Sequence, residues 1–285
     1  SRAEQVQPRP VRNSLIGLVL GLGLGICLAF LREALDTRVR SSDEIADQLG
    51  MQMLGRLPEP PAQLQKTNQL VMLAAPKRIH AEAFRVLRTN VEFANAQPRA
   101  RTIMVTSAVE REGKSTTVAN LAVAFARAGK RVVLIDLDLR CPLIAQLFNL
   151  DPDRPGLTDV VVGHVQLHDA ISQLVISKGR SNRATNGNGN GSGSLESVLH
   201  ILPAGPAPPN AGEFVGSQAL AGILDELGAV ADLVLIDAPP LLHVGDAMTL
   251  SAHVDALILV TRLNVVRRPM LKEVRRVLDA APALP

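Results

Sequence analysis

The chain has 285 residues, 47% of them apolar and 2% aromatic, with no tryptophan or tyrosine and a formal charge of +3. That composition supports one sizeable α/β domain plus flanking segments, with a core of Val, Leu, Ile and Ala such as a parallel sheet covered on both faces requires. A small, dispersed positive charge without interleaved aromatics argues against nucleic acid as a partner, and Cys27 and Cys141 alone do not staple a secreted scaffold.

The first element is the uncharged run 14–31, SLIGLVLGLGLGICLAFL, between Arg12 and Arg32. It is long enough to cross a bilayer as a helix. Glycines at 17, 21, 23 and 25 suit a membrane helix, and the Gly21–Gly25 spacing permits close helix packing. A signal peptide fits poorly, because no small-residue cleavage site follows. Arginines flank the run on both sides, Arg2 and Arg9 before it and Arg38 and Arg40 after it, so charge leaves its orientation open. Residues 32–55 read as a juxtamembrane helix and a small second helix over DEIADQLG, and three prolines make 58–69 a linker. From about Ala81 a helical pattern sets Phe84, Leu87 and Val91 on one face.

Strand and helix patterns then alternate. Apolar strands are expected at 102–107, 131–136, 199–203, 232–237 and 255–261. A helix over 115–128 presents Val118, Leu121, Ala122 and Phe125 as its inner stripe, and SQALAGILDEL supplies another. Strand–helix repetition with continuous apolar strands predicts an α/β fold with a doubly wound, mostly parallel sheet, preceded by one transmembrane helix. Between two strands the stretch RSNRATNGNGNGSGS makes 180–195 a flexible surface insertion, too polar to bury itself.

The turn TSAVEREGKSTT joins the first strand to its helix. It matches the P-loop pattern at Gly113, Lys114 and Ser115, with Ala108 where the first glycine would stand. The expected cradle comprises Ala108, Glu110, Arg111, Glu112, Gly113, Lys114, Ser115 and Thr116. Gly113 lets backbone N–H groups wrap phosphates, Lys114 reaches the β- and γ-phosphates, and Ser115 offers its hydroxyl to Mg²⁺ at a helix N-terminus. VVLIDLDLR ends a strand on Asp136 and Asp138, and VLIDAPP ends another on Asp237. Carboxyl ends of parallel strands meet at the ligand crevice. The three carboxylates therefore belong beside Lys114 and Ser115, where Mg²⁺ carried by ATP needs them and where one is able to act as a base.

Taken together, these motifs resemble the bacterial tyrosine kinases. GKST (113–116), LIDLDLR (134–140) and LIDAPP (235–240) stand where that family has its P-loop, its second Walker-type motif and its Walker B, and Asp246 falls where the family often has an aspartate. The resemblance implies an ATP-dependent protein-tyrosine kinase or ATPase, with Lys114, Asp136 and Asp138 in catalysis, Arg140 in the nucleotide set and Ser115, Asp136 and Asp237 on Mg²⁺. Glu82, Arg85 and Arg88 match the family's E-x-x-R-x-x-R oligomerisation motif, which implies a ring-like self-assembly. The apolar helix followed by FLREALDTRVRSSDEI resembles the end of a polysaccharide chain-length determinant module. The implied organisation is an extracytoplasmic tail at 1–13, a transmembrane helix at 14–31, a juxtamembrane segment and linker at 32–75, and a P-loop ATPase/kinase domain at 76–285. The inner membrane and a polysaccharide polymerase or export machinery are the implied partners.

Two departures stand out. Many relatives carry Pro-Gly-Glu-Gly-Lys in the loop, whereas this chain has Glu110, Arg111 and Glu112 before Gly113; the lost glycine restricts the backbone, and Arg111 either helps to hold phosphate or is solvated. The family phosphorylates a C-terminal tyrosine cluster, and this sequence contains no tyrosine. Either the chain stops before that tail, or ATP serves only a change of shape, with the extreme of a silent ATP-binding scaffold. A partitioning-type ATPase is the third reading; Val109 stands where that branch has an early lysine.

Overall fold

The computed structural model describes residues 10–97, 99–176, 197–242 and 245–280. The expected insertion at 180–195 lies outside the described residues, as does most of the 1–13 tail.

Helix α1 (Pro10–Leu35) carries the apolar run and extends it at both ends. Its stretch Asn13–Leu35 is long and apolar enough to cross a membrane, and its apolar window buries nothing against the rest of the chain. The juxtamembrane helix expected after it is absent: residues past Leu35 leave the helix, and Arg38 pairs in an antiparallel bridge with Arg267. Backbone hydrogen bonds from Val39 N to Val266 O (3.0 Å), Asn264 N to Val39 O (3.1 Å) and Arg268 N to Thr37 O (3.0 Å) make this segment a strap. Helix α2 (Ser42–Leu49) follows, capped by the Ser41 hydroxyl and closed by Gly50 at φ 66°. The expected linker holds a short α3 (Ala62–Lys66), and α4 (Val71–Ala74) leads into α5 (Ile79–Ala94). Phe84, Leu87 and Val91 of α5 are buried, as their spacing predicts.

The sheet contains β1 (Thr102–Ser107), β2 (Val132–Asp136), β3 (Ser172–Ile176), β4 (Ser197–Leu202), β5 (Leu233–Asp237) and β6 (Ala256–Val260), in the order β3-β4-β2-β5-β1-β6. Every pairing is parallel except β3 with β4. Alternate strand residues face opposite layers, as the period of two demands. Ile103, Val105, Val132, Leu134, Leu233 and Leu235 pack against α4, α5 and α6 (Lys114–Arg127), while Met104, Val133, Ile135, Val234 and Ile236 face the other layer. Helix α6 is buried along most of its length, and its alanines at 119, 122, 124 and 126 let it lie between the sheet and α5.

The remaining helices are α7 (Ile144–Leu147), α8 (Leu157–Val162), α9 (Leu167–Ala170), α10 (Ala211–Val215), α11 (Gln218–Val230), α12 (Asp246–Ser251) and α13 (Arg268–Ala280). A third apolar cluster unites the strap with the site end of the sheet: Val39, Ile45 and Leu49 pack with Ala108, Leu241, Val266, Leu271 and Val274.

Candidate nucleotide site

Strand order creates the site. β1 and β2 are consecutive in sequence, yet β5 lies between them. The loop leaving β1 therefore faces the aspartates ending β2 and β5, and Asp136 sits opposite Asp237 in the parallel register. Segment 238–242 continues that pairing past the strand ends. Ala238 N donates to Val105 O (3.0 Å), Leu241 N to Ser107 O (2.9 Å) and Leu242 N to Ala108 O (3.2 Å). These bonds leave Ala108 fully buried beneath the loop.

Gly113 is the N-cap of α6 and has φ 92°. A Cβ there would meet no atom within 4 Å, so backbone conformation demands the glycine, not space. Arg111, standing in place of the family's glycine, has φ 64°. The loop thus keeps the left-handed turn that glycine would supply, at a conformational cost. Glu110 and Arg111 are exposed, and Thr116 is half-buried.

Lys114 is buried at the mouth of the turn. Its Nζ lies 2.6 Å from Asp138 Oδ2 and 3.2 Å from Asp237 Oδ1, and it donates to Ser115 Oγ at 3.1 Å. Burial works against the ammonium, but the Asp237 and Asp138 charges overcome it and raise the Lys114 pKa. Asp237 is fully buried, which pushes its carboxyl up to about 6 against the pull of Lys114. Asp136 is pushed up to about 8, first by burial and then by the Asp237 charge.

The three aspartates differ in what they touch. Asp136 accepts backbone hydrogen bonds from Asp138 N (3.2 Å), Leu143 N (3.1 Å) and Ile144 N (3.0 Å), so both its oxygens brace the loop after β2. Asp138 accepts from Cys141 N (3.2 Å) besides pairing with Lys114. Asp237 keeps one oxygen, Oδ2, buried with no partner. Such an atom is costly unless something fills its valence. The free carboxylate oxygen and the neighbouring Ser115 hydroxyl are hard oxygen donors suited to Mg²⁺. Among the described residues no three His, Cys, Asp or Glu side chains converge as a metal cage. Arg140 is exposed at the end of the same segment, Cys27 and Cys141 are both free thiols, and the side chain of Asp246 lies outside the described part.

The sequence reading missed the role of Glu112. Its carboxylate is buried, accepting from Val109 N at 2.8 Å and from Arg262 N at 3.0 Å. One signal was available: an acidic side chain aimed at phosphates would repel them, so it has to turn away.

Glu82, Arg85 and Arg88 lie on α5, apart from this site. Arg85 bonds Glu82 and the Pro76 carbonyl, and Arg88 pairs with Glu92 at 3.8 Å. Ile79, Val86 and Phe93, spaced two turns apart on α5, stay exposed.

Residues 103–274 match the family model of the CobQ/CobB/MinD/ParA nucleotide binding domain. Tyrosine-protein kinase YwqD of Bacillus subtilis is 37% identical over 191 residues, which cover 67% of this chain and 72% of that protein. Putative tyrosine-protein kinase EpsB of Ralstonia solanacearum is 30% identical over 281 residues, 95% of this chain but only 34% of the relative's length. Among solved structures, the BceF tyrosine kinase domain superposes with a TM-score of 0.72 at 28% identity, covering 86% of this chain and 95% of that one.

Proposed function

Because the chain belongs to the bacterial tyrosine-protein kinases, we propose that it binds Mg·ATP in the GKST turn and transfers the γ-phosphoryl group to a tyrosine hydroxyl, serving polysaccharide assembly or export at the inner membrane. The observation that carries this reading is the Lys114 ammonium held between Asp138 and Asp237, with one Asp237 oxygen buried and unpartnered.

Mg²⁺ would be held by Ser115 and Asp237, and when bound it neutralises phosphate charge. Lys114 exchanges its carboxylate partners for the β- and γ-phosphates, and the helix N-terminus at Gly113 adds its dipole. Asp138 is freed as Lys114 turns to phosphate, and its carboxylate accepts the proton of the attacking hydroxyl as that oxygen takes the γ-phosphoryl group from ATP and ADP departs with the bridging oxygen. Asp136 keeps the loop after β2 in place beneath it. These residues supply positioning and charge, the main requirements of phosphoryl transfer.

Chain-length control through oligomer cycling belongs to the same proposal. The exposed Ile79, Val86 and Phe93 beside Glu82, Arg85 and Arg88 support a self-association face on α5. Helix α1 would anchor the chain, with the nucleotide domain on the cytosolic side where ATP is. The sequence contains no tyrosine, so an acceptor tyrosine comes from outside these residues; ATP hydrolysis coupled to a change of shape is the second reading.

The test is incubation of the protein with γ-labelled ATP, Mg²⁺ and a tyrosine-containing protein acceptor, following protein-bound label and free phosphate. Protein label that disappears in Lys114→Met supports the kinase. Free phosphate without label supports the hydrolase, and unchanged turnover in Lys114→Met refutes the site.

A further inference from the structure

Glu112 spends both carboxylate oxygens on main-chain donors that are 153 residues apart in sequence, Val109 N and Arg262 N. The first bond closes the phosphate loop on itself. The second fastens that loop to the residues following β6. Those same residues hold the strap, through Asn264 N to Val39 O (3.1 Å) and Val39 N to Val266 O (3.0 Å). The Arg262 guanidinium, at the surface, also donates to Glu59 of the linker at 3.1 Å. Apolar packing joins the same parts: Val39 of the strap, fully buried, belongs to one cluster with Ala108, the first residue of the loop, and Val266. The strap begins directly after α1.

We propose that Glu112 is a positioning residue for the phosphate loop, and that through Arg262 it makes the loop's geometry depend on the strap leaving the apolar helix. The carboxylate charge lies turned into the protein, so it organises the cradle's N–H groups without opposing the phosphates. The hydrogen-bonded thread and the shared apolar cluster form a contiguous route between the strap and Lys114. Coupling between two sites is reciprocal, so whatever the strap does to ATP binding, ATP binding does to the strap. This inference rests on the reading of the GKST turn as the Mg·ATP site.

The experiment uses the full chain in detergent micelles, with Mg·ATP affinity by titration calorimetry and amide hydrogen exchange read at Val39, Arg262 and Asn264. Saturating Mg·ATP slows exchange at these amides in the wild type about five-fold, because opening of the strap becomes linked to loss of ligand. Glu112→Gln offers an oxygen to only one of the two N–H groups and turns an NH₂ toward the other, so its Kd for Mg·ATP rises about ten-fold. At saturating ligand the variant no longer slows exchange at Val39 and Asn264, a readout that a merely destabilised fold would not lose. Wild-type protein that binds Mg·ATP with no change at Val39 and Asn264 overturns the proposal, even where the variant does not fold. So does a Glu112→Gln variant with unchanged affinity. Wild-type protein that binds no Mg·ATP overturns the site reading itself, and this one with it.

Discussion

Removing the Lys114 ammonium has a cost set by its surroundings. Its two partners lie at 2.6 and 3.2 Å and have side-chain exposures of 5% and 0%. At an effective dielectric near 20, those separations give gross attractions of about 6 and about 5 kcal/mol. Desolvation of the three groups cancels most of that, and breaking a buried pair by deleting one partner costs about 3–5 kcal/mol. We expect Lys114→Met to lose about 3 kcal/mol at pH 8 in chelator, a fall in Tm of about 5–10 °C for a chain of this size. The loss shrinks at low pH. Asp237 is held up at about 6 and Asp136 at about 8, so both are largely protonated at pH 5. The Asp237 charge beside Lys114 is then gone, and the expected loss falls to about 1 kcal/mol. Circular-dichroism melts of wild type and variant at pH 5 and pH 8 measure both numbers. An equal loss at the two values, or none at pH 8, refutes the argument that Lys114 neutralises the resting aspartates.

Three further outcomes are expected. Arg111→Gly removes a left-handed non-glycine residue and gains about 0.5–1 kcal/mol after the added unfolded-state entropy, with Mg·ATP affinity within about two-fold; a ten-fold weaker Kd by calorimetry would mean that Arg111 grips phosphate instead. Asp136 and Asp237 each bind a proton more tightly folded than unfolded, so the metal-free protein loses stability as pH rises from about 4 through 6 and on to 8. A denaturant series across that range tests the sign, and a rise of stability with pH contradicts it. Arg85→Ala with Arg88→Ala reduces the mass seen by light scattering, and an oligomer unchanged by the pair would return both arginines to ordinary surface charge.

The nucleotide site was legible because its parts are short-range. Gly113, Lys114 and Ser115 are consecutive, and Asp136 and Asp237 end short, Val- and Ile-rich apolar runs that read as buried strands. What escaped reading depends on distant partners. Strand β3 reads poorly because it is an antiparallel edge, buried only at its ends and partly at Leu174, and because a Gly- and Asn-rich stretch follows it. The strap gave no pattern of its own, since residues 37–39 are held by residues 264–268. Glu112 looked like one more member of the phosphate cradle until Arg262 N appeared at its carboxylate. Asp136 looked equivalent to Asp138 by spacing, but local turn geometry gives it three backbone N–H groups and leaves Asp138 to Lys114.

The β3–β4 hairpin has a practical consequence. Ile176 and Ser197 are register partners, so the chain departs from the sheet and rejoins it at a single point. That point lies on the edge farthest from β6, with β4 and β2 between it and the Asp237 strand. Because the two attachment points are already adjacent, lengthening the connection adds only loop-closure entropy, about 0.6 kcal/mol per doubling. The hairpin end is therefore a natural port for inserted sequence: a fluorescent reporter or a docking module placed there would be carried by the sheet without straining the phosphate loop.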